Sequence, residues 1–250
     1  MSTENNSLIE RLFGAGAHFG FSKSRRHPTV QPYIFGSKDG TDIFDLEKTA
    51  ALIEDAKSYL NEAGKAGKNV LFVGTKEEAS KLVRAAAESV EAPFVVNRWI
   101  GGMLTNFSEI RKRIERLKVL TVEGETGELE RKYTKKERVL IGRETDKLTF
   151  NFGGIRTLDK VPQVLVVVDP RHDHIAVTEA NDLNIPVVAV MSSDCDVKNV
   201  TKPVVVNDAL STSIKLVLDE LVAAYGEGKK EYVPAPTKER NNRRPRPSRS

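Results

Sequence analysis

Three short stretches of this 250-residue chain carry side chains able to do chemistry. "DPRHDHI" (169–175) sets His172 and His174 two apart, with Asp173 between them, directly after an apolar run. A loop at the carboxyl end of a strand is where α/β enzymes collect acids, bases and metal ligands. No third ligand accompanies these histidines, and the same residues serve equally as an exposed loop and helix cap. "SSDCDVKN" (192–199) holds Asp194 and Asp196, which could share Mg²⁺ but whose type is also common in turns. Between them lies the one cysteine, Cys195, with no histidine tied to it by sequence; a half-buried inert thiol is expected. "FVGTKEEA" (72–79) offers a helix start and Lys76 to a single phosphate. It lacks the upstream glycines of a triphosphate-binding loop, and no G-x-G-x-x-G follows any apolar run. The expectation is therefore no catalytic residue, no cofactor, no small-molecule substrate and no resident metal.

Two basic stretches point elsewhere. "SKSRRHPTVQPY" (22–33) carries Lys23, Arg25 and Arg26 without an acid, with Tyr33 close by. Its prolines keep the backbone extended and the cations splayed, which suits a chain of phosphates. "RWIGGMLTNFSEIRKRIERLK" (98–118) carries Arg98, Arg111, Lys112, Arg113, Arg116 and Lys118 against Glu109 and Glu115, a local +4. Gly101 and Gly102 let backbone approach a ligand closely, and Thr105 or Asn106 can cap the following helix. Trp99 either stacks on a base or packs beneath the junction. The expected nucleic-acid-binding set is Lys23, Arg25, Arg26, Tyr33, Lys76, Arg98, Trp99, Asn106, Arg111, Lys112, Arg113 and Arg116.

The elements that must position these residues follow from hydrophobic period. Apolar runs at 69–74, 93–97, 163–169, 186–191 and 203–206 alternate with amphipathic helical stretches. Continuous apolar strands between helices indicate a parallel sheet covered on both faces. The predicted fold is a doubly wound α/β sheet of about five strands. Ahead of it, "KDG" marks a turn between the short strands "PYIFG" and "TDIFD". The stretch 7–20 reads as a short helix closed by glycines. From 104 to 152 no buried strand occurs; two charged helical segments flank a polar turn, "TVEGETGELERK". Ile110, Ile114, Leu117 and Leu120 are spaced as an α–α seam requires. This predicts an inserted α-helical coiled-coil hairpin at 104–152, dividing the α/β domain into 1–103 and 153–225.

The tail 226–250 has eight basic and three acidic residues, a net +5, leaving 31 basic and 32 acidic residues elsewhere, a net −1. Rich in Pro, Arg and Ser, it is expected to be disordered alone. A single cysteine excludes a disulfide-stapled secreted scaffold. The first residues show no signal-peptide pattern, and no apolar run approaches the ~18 residues of a membrane span. A cytoplasmic protein is expected.

The motifs themselves resemble a known family. "AGAHFG" (15–20), "PYIFG" (32–36), "FVGTK" (72–76), "NRWIGGMLTNF" (97–107), "NFGGI" (151–155), "VVVDPR" (166–171) and "IPVVAV" (185–190) stand in the order and spacing of the bacterial small-subunit ribosomal protein S-two family. The likeness runs from about residue 8 to 226, and "RWIGGMLTNF" is its most specific part. It implies a flavodoxin-like sheet with an inserted helical coiled-coil hairpin. It further implies a non-catalytic protein that binds small-subunit ribosomal RNA near the head–body junction. Its implied partners are neighbouring small-subunit proteins, among them the large mRNA-binding protein S-one where a host has it. The chain departs from the family pattern at Phe21, at His27-Pro28-Thr29-Val30, across Ser192 to Val197, and at Ser211. Two other readings fit the residues alone: a protein–protein adaptor using the helical insertion, and a diverged α/β enzyme using the strand-end loops.

Overall fold

The computed structural model describes residues 2–232. The chain opens with α1 (Ser2–Gly14), then β1 (Phe19–Ser22), β2 (Ile34–Lys38) and β3 (Thr41–Phe44). These strands form an antiparallel three-stranded sheet in the order β1-β3-β2. Asp39 and Gly40, both at positive φ, make the two-residue turn between β2 and β3. The prediction of one helix over 7–20 is corrected: the helix starts earlier and His18 onward turns into β1.

Next come α2 (Leu46–Lys65), β4 (Val70–Val73), α3 (Glu77–Ser89) and β5 (Phe94–Val95). Three helices follow, α4 (Phe107–Glu125), α5 (Glu128–Lys132) and α6 (Lys135–Phe152). The chain ends with β6 (Val164–Val168), α7 (His174–Asp182), β7 (Val187–Met191), β8 (Lys202–Val205) and α8 (Ser211–Glu231). The five later strands are parallel, in the order β5-β4-β6-β7-β8, the strand order of flavodoxin-like sheets.

β4, β6 and β7 are buried along their whole length. Side chains alternate across a strand, so their apolar residues divide between two layers. Val70, Phe72, Val166, Val188 and Val190 join α2, α3 and α8; Leu71, Val73, Leu165, Val167 and Ala189 join the layer of α4, α6 and α7. Small residues make the helix fit: Ala79, Ala86 and Ala87 in α3, Ala176 and Ala180 in α7.

In the 104–152 segment, α4 and α6 pack on each other. Ile110, Ile114, Leu117 and Leu120 are buried, as are Ile141, Leu148 and Phe152. Arg116 donates both Nε and Nη2 to Glu144 across the pair at 3.3 Å. The polar stretch expected as a turn is mostly helical: α4 continues to Glu125, the break falls at Gly127, and α5 follows. Glu, Arg and Lys are good helix formers, and this outweighed their polarity. Thr134 and Glu137 form a reciprocal capping box that starts α6.

α8 also runs beyond the expected start of the tail, through Gly226 to Glu231, because its last turns pack on α2, where Lys65 pairs with Glu231 at 3.0 Å. The two backbones touch there. A Cβ on Gly64 would fall 2.7 Å from both Lys229 N and Tyr225 O, and Gly228 faces Asn61 as closely. The tail from residue 233 lies outside the described residues. Gly64→Ala should destabilise the protein by about 1–3 kcal/mol, the usual range for overpacking against an unyielding neighbour. Urea unfolding would read this as a lower midpoint at unchanged slope.

Candidate nucleic-acid interface

The "RWIGGMLTNF" loop is built around one carboxylate. Glu179 lies on the buried face of α7 and accepts from Trp99 Nε1 at 3.2 Å and Gly102 N at 2.8 Å. Its other oxygen accepts from Leu104 N at 2.9 Å, Thr105 N at 3.2 Å and Thr105 Oγ1 at 3.2 Å. Burial pushes this carboxyl up, yet the backbone N–H groups of Leu104, Gly102 and Thr105, with the indole, outweigh burial and hold it below its ordinary value. The loop is thereby fixed to α7, and α4 leaves from a held point.

This geometry corrects two expectations. Trp99 is 7% exposed with its indole N–H on Glu179, so it packs beneath the junction and presents no face to a base. Neither cap candidate caps α4. The Thr105 hydroxyl is held by Glu179, and Asn106, at the cap position and exposed, accepts no helix backbone N–H with its side chain, taking only Ser108 Oγ at 3.4 Å.

The N-terminal sheet lies across the carboxyl ends of the parallel strands. Phe21 N donates to Ser193 Oγ at 2.9 Å, His27 N to Ser193 O at 2.8 Å, and Asn207 N to Ala17 O at 3.0 Å. The chain itself thus covers part of the place where α/β enzymes put a ligand, leaving a cleft of about 690 Å³ between Arg25, α7 and Asp194 and a smaller one of about 220 Å³ beside Thr75 and Arg98. Lys76 reaches inward to Asp169 Oδ2 at 3.0 Å and the Asp208 carbonyl at 3.1 Å, beneath the Phe21 ring at 5.9 Å. The Asp208 carboxylate is buried without a hydrogen bond, 3.5 Å from Lys76. Burial first, and then Asp169, push it up to about 7 against the pull of Lys76. Burial likewise pushes the Cys195 thiol up, so it is a protonated core group and a poor nucleophile. Asp169, Cys195 and Asp208 converge closely enough to hold an ion, but Lys76 already supplies positive charge there. Asp173 is turned inward on Thr75 N at 3.0 Å and Thr75 Oγ1 at 2.7 Å, and so does not stand beside the histidines as a ligand. Asp194 is paired with Arg25 and Arg171, and Asp196 accepts from Lys198 N within its own turn.

The expected cations separate into three groups. Arg26 and Lys76 are structural, against expectation. Arg26 Nε donates to the fully buried Asp42 at 2.7 Å, Nη2 also reaches Asp42 and donates to Ser37 Oγ at 2.9 Å, and Nη1 donates to Gln31 at 2.6 Å. The guanidinium in turn holds the Asp42 carboxyl below its ordinary value despite burial. Tyr33 is half-buried against the core. Lys112 and Arg116 are exposed but paired, with Glu109 at 2.6 Å and with Glu144. Arg25 is exposed over the Phe21 ring at 4.4 Å, with Asp194 at 3.3 Å. Lys23, Arg98, Arg111 and Arg113 are exposed and in no ion pair among the described residues.

Sequence reasoning missed Glu179, Asp42 and Arg171. Glu179 had a signal: it occupies an apolar-face position between Ala176 and Ala180 of α7. Asp42 had one too, as a strand residue that alternation turns inward with Phe44.

A family model described as "Ribosomal protein S2" matches residues 12–228. Small ribosomal subunit protein uS2 of Picosynechococcus sp. is 42% identical over 223 residues, covering 89% of this chain and 86% of that protein. The uS2 proteins of Dictyoglomus thermophilum (40% over 222 residues, 89% and 90% of the two chains) and Nocardia farcinica (42% over 220 residues, 88% and 77%) are similar in the same way.

Two outcomes are expected from these contacts. Arg26→Ala strands a buried carboxylate and should cost about 3–5 kcal/mol of stability. The deficit should shrink in acid, where Asp42 protonates. Glu179 is held below the usual ~4.3 of a glutamate, so its contribution is present at neutral pH and is lost as pH falls through its folded value. Glu179→Gln should cost about 1.5–3 kcal/mol, since the bonds it removes involve a charged acceptor. Emission of the single tryptophan, Trp99, should shift to the red in that variant at pH 7, and the variant should lose less stability on acidification than the wild type does.

Proposed function

The chain belongs to the ribosomal protein S2 family, whose members are structural proteins of the small ribosomal subunit and not enzymes, and from this premise we propose that it binds small-subunit ribosomal RNA through the exposed sides of α4. The observation that carries this reading is the pair Arg111 and Arg113, exposed and without acid partners among the described residues, on a helix whose starting point Glu179 holds. Phosphate contacts made from a rigid helix set position and register rather than sequence. Lys23, Arg25 and Arg98 extend the cationic surface on the domain side; Lys112 and Arg116 add charge while paired. In this reading α4 and α6 form a helical hairpin, of coiled-coil type, reaching from the α/β domain into RNA near the head–body junction. The protein works in the cytoplasm as part of the ribosome. Neighbouring small-subunit proteins, and protein S-one where present, are its protein partners.

An adaptor that binds protein through the same helices would depend weakly on salt, whereas phosphate binding falls steeply. Arg111→Ala with Arg113→Ala should lower the magnitude of the log–log salt slope for small-subunit RNA by roughly 0.9 for each phosphate no longer neutralised, with affinity down about tenfold or more at 0.15 M salt. Melting should be unchanged, because neither side chain packs. Incorporation of the double variant into subunits at the wild-type level and rate would sink the proposal.

A further inference from the structure

Where α6 returns to the sheet, a cleft of about 260 Å³ opens between β5, the end of α6 with its Gly153–Ile155 turn, and Arg84 of α3. None of the RNA-binding residues assigned above lines it. Its lining includes two guanidinium groups, Arg84 and Arg156, and no carboxylate. Arg84 is exposed and stands over the Phe94 ring at 5.7 Å. Arg156 donates Nη2 only to the Thr149 hydroxyl at 3.4 Å, and its Nε is buried with no acceptor. Neither arginine is in an ion pair among the described residues. A buried guanidinium N–H without an acceptor costs stability, and Arg156, beside the exposed and unpaired Arg84 on one acid-free cleft, marks a place for an anion.

The rim supplies a second kind of group. Phe150 is 59% exposed although it borders the cleft. Asn97 Nδ2 donates to the Phe150 carbonyl at 2.6 Å, so the segment after β5 holds the end of α6 in place. An exposed aromatic ring beside two unpaired guanidinium groups is the combination that takes an unstacked base together with its phosphate. The volume lies below the ~300–1,000 Å³ of free small-molecule pockets and suits one unit of a polymer.

We propose that this cleft receives one unpaired nucleotide of small-subunit RNA, its phosphate between Arg84 and Arg156 and its base on Phe150. The inference rests on the RNA-binding reading above. It differs from it in kind, because α4 meets phosphates along a helix face while this cleft selects an extruded nucleotide.

The test is filter binding of the full chain to transcribed small-subunit RNA across a salt series. Arg84→Gln with Arg156→Gln should weaken binding and reduce the slope by about 0.7, the single-strand value for one phosphate. Phe150→Leu should weaken binding roughly tenfold with the slope unchanged, the signature of a missing stacking platform. Arg84→Gln alone, at an exposed position, serves if the Arg156 change lowers the melting temperature. Wild-type affinity and slope in the cleft variants, with binding still weakened in the Arg111/Arg113 variant, would overturn the cleft and leave the RNA reading intact. Absence of RNA binding by the wild-type chain would overturn both.

Discussion

One carboxylate buried under the sheet, Glu179, takes five hydrogen bonds from a single loop, three of them from backbone N–H groups. Unsatisfied, either side of this arrangement would be expensive: a charge in the interior, or a run of buried donors without acceptors. Satisfied, it converts a glycine-containing loop into a rigid joint between β5 and α4. The exposed arginines of α4 depend on that joint for their direction, since their own contacts with the domain are few. Trp99 belongs to the same joint, filling the space beneath it.

The second constraint is the closure of the strand ends. Doubly wound sheets leave a crevice beyond their carboxyl ends, and here Phe21 and Ser193 cover part of it. The buried acids behind them answer to Lys76 rather than to a substrate. Asp169 and Asp208, which would mark an active site in an open crevice, are here held by Lys76 beneath Phe21 of the N-terminal sheet.

Most of the architecture was legible in the sequence. Each of the five apolar runs became a parallel strand, because burial on both faces leaves an unbroken hydrophobic signature. The Asp39-Gly40 turn was equally legible, since few residues accept its backbone. β1 was not, because Phe19 to Ser22 is short, half-exposed and preceded by glycines. The site was only partly legible. Arg25 and Arg26 are adjacent and alike in sequence, yet one lies on the surface and the other is consumed by Asp42; that difference is made by β3, a distant partner no local pattern reveals. Lys76 was misplaced for the same reason, its acids lying 93 and 132 residues away. Trp99 read as ambiguous, and the choice was made by a glutamate 80 residues later.

That separation bears on how the chain assembles during synthesis. The contacts of α4, α5 and α6 are local, so these helices can pair soon after they emerge. β4 and β5 are made before them, but β4 gains its second neighbour only with β6, and the loop that aims α4 is locked only when Glu179 arrives. The covering helix α8, pressed on α2 at Gly64, comes last of all. α4 is therefore complete before the body that orients it, and its direction is among the last features to be fixed as the chain leaves the tunnel.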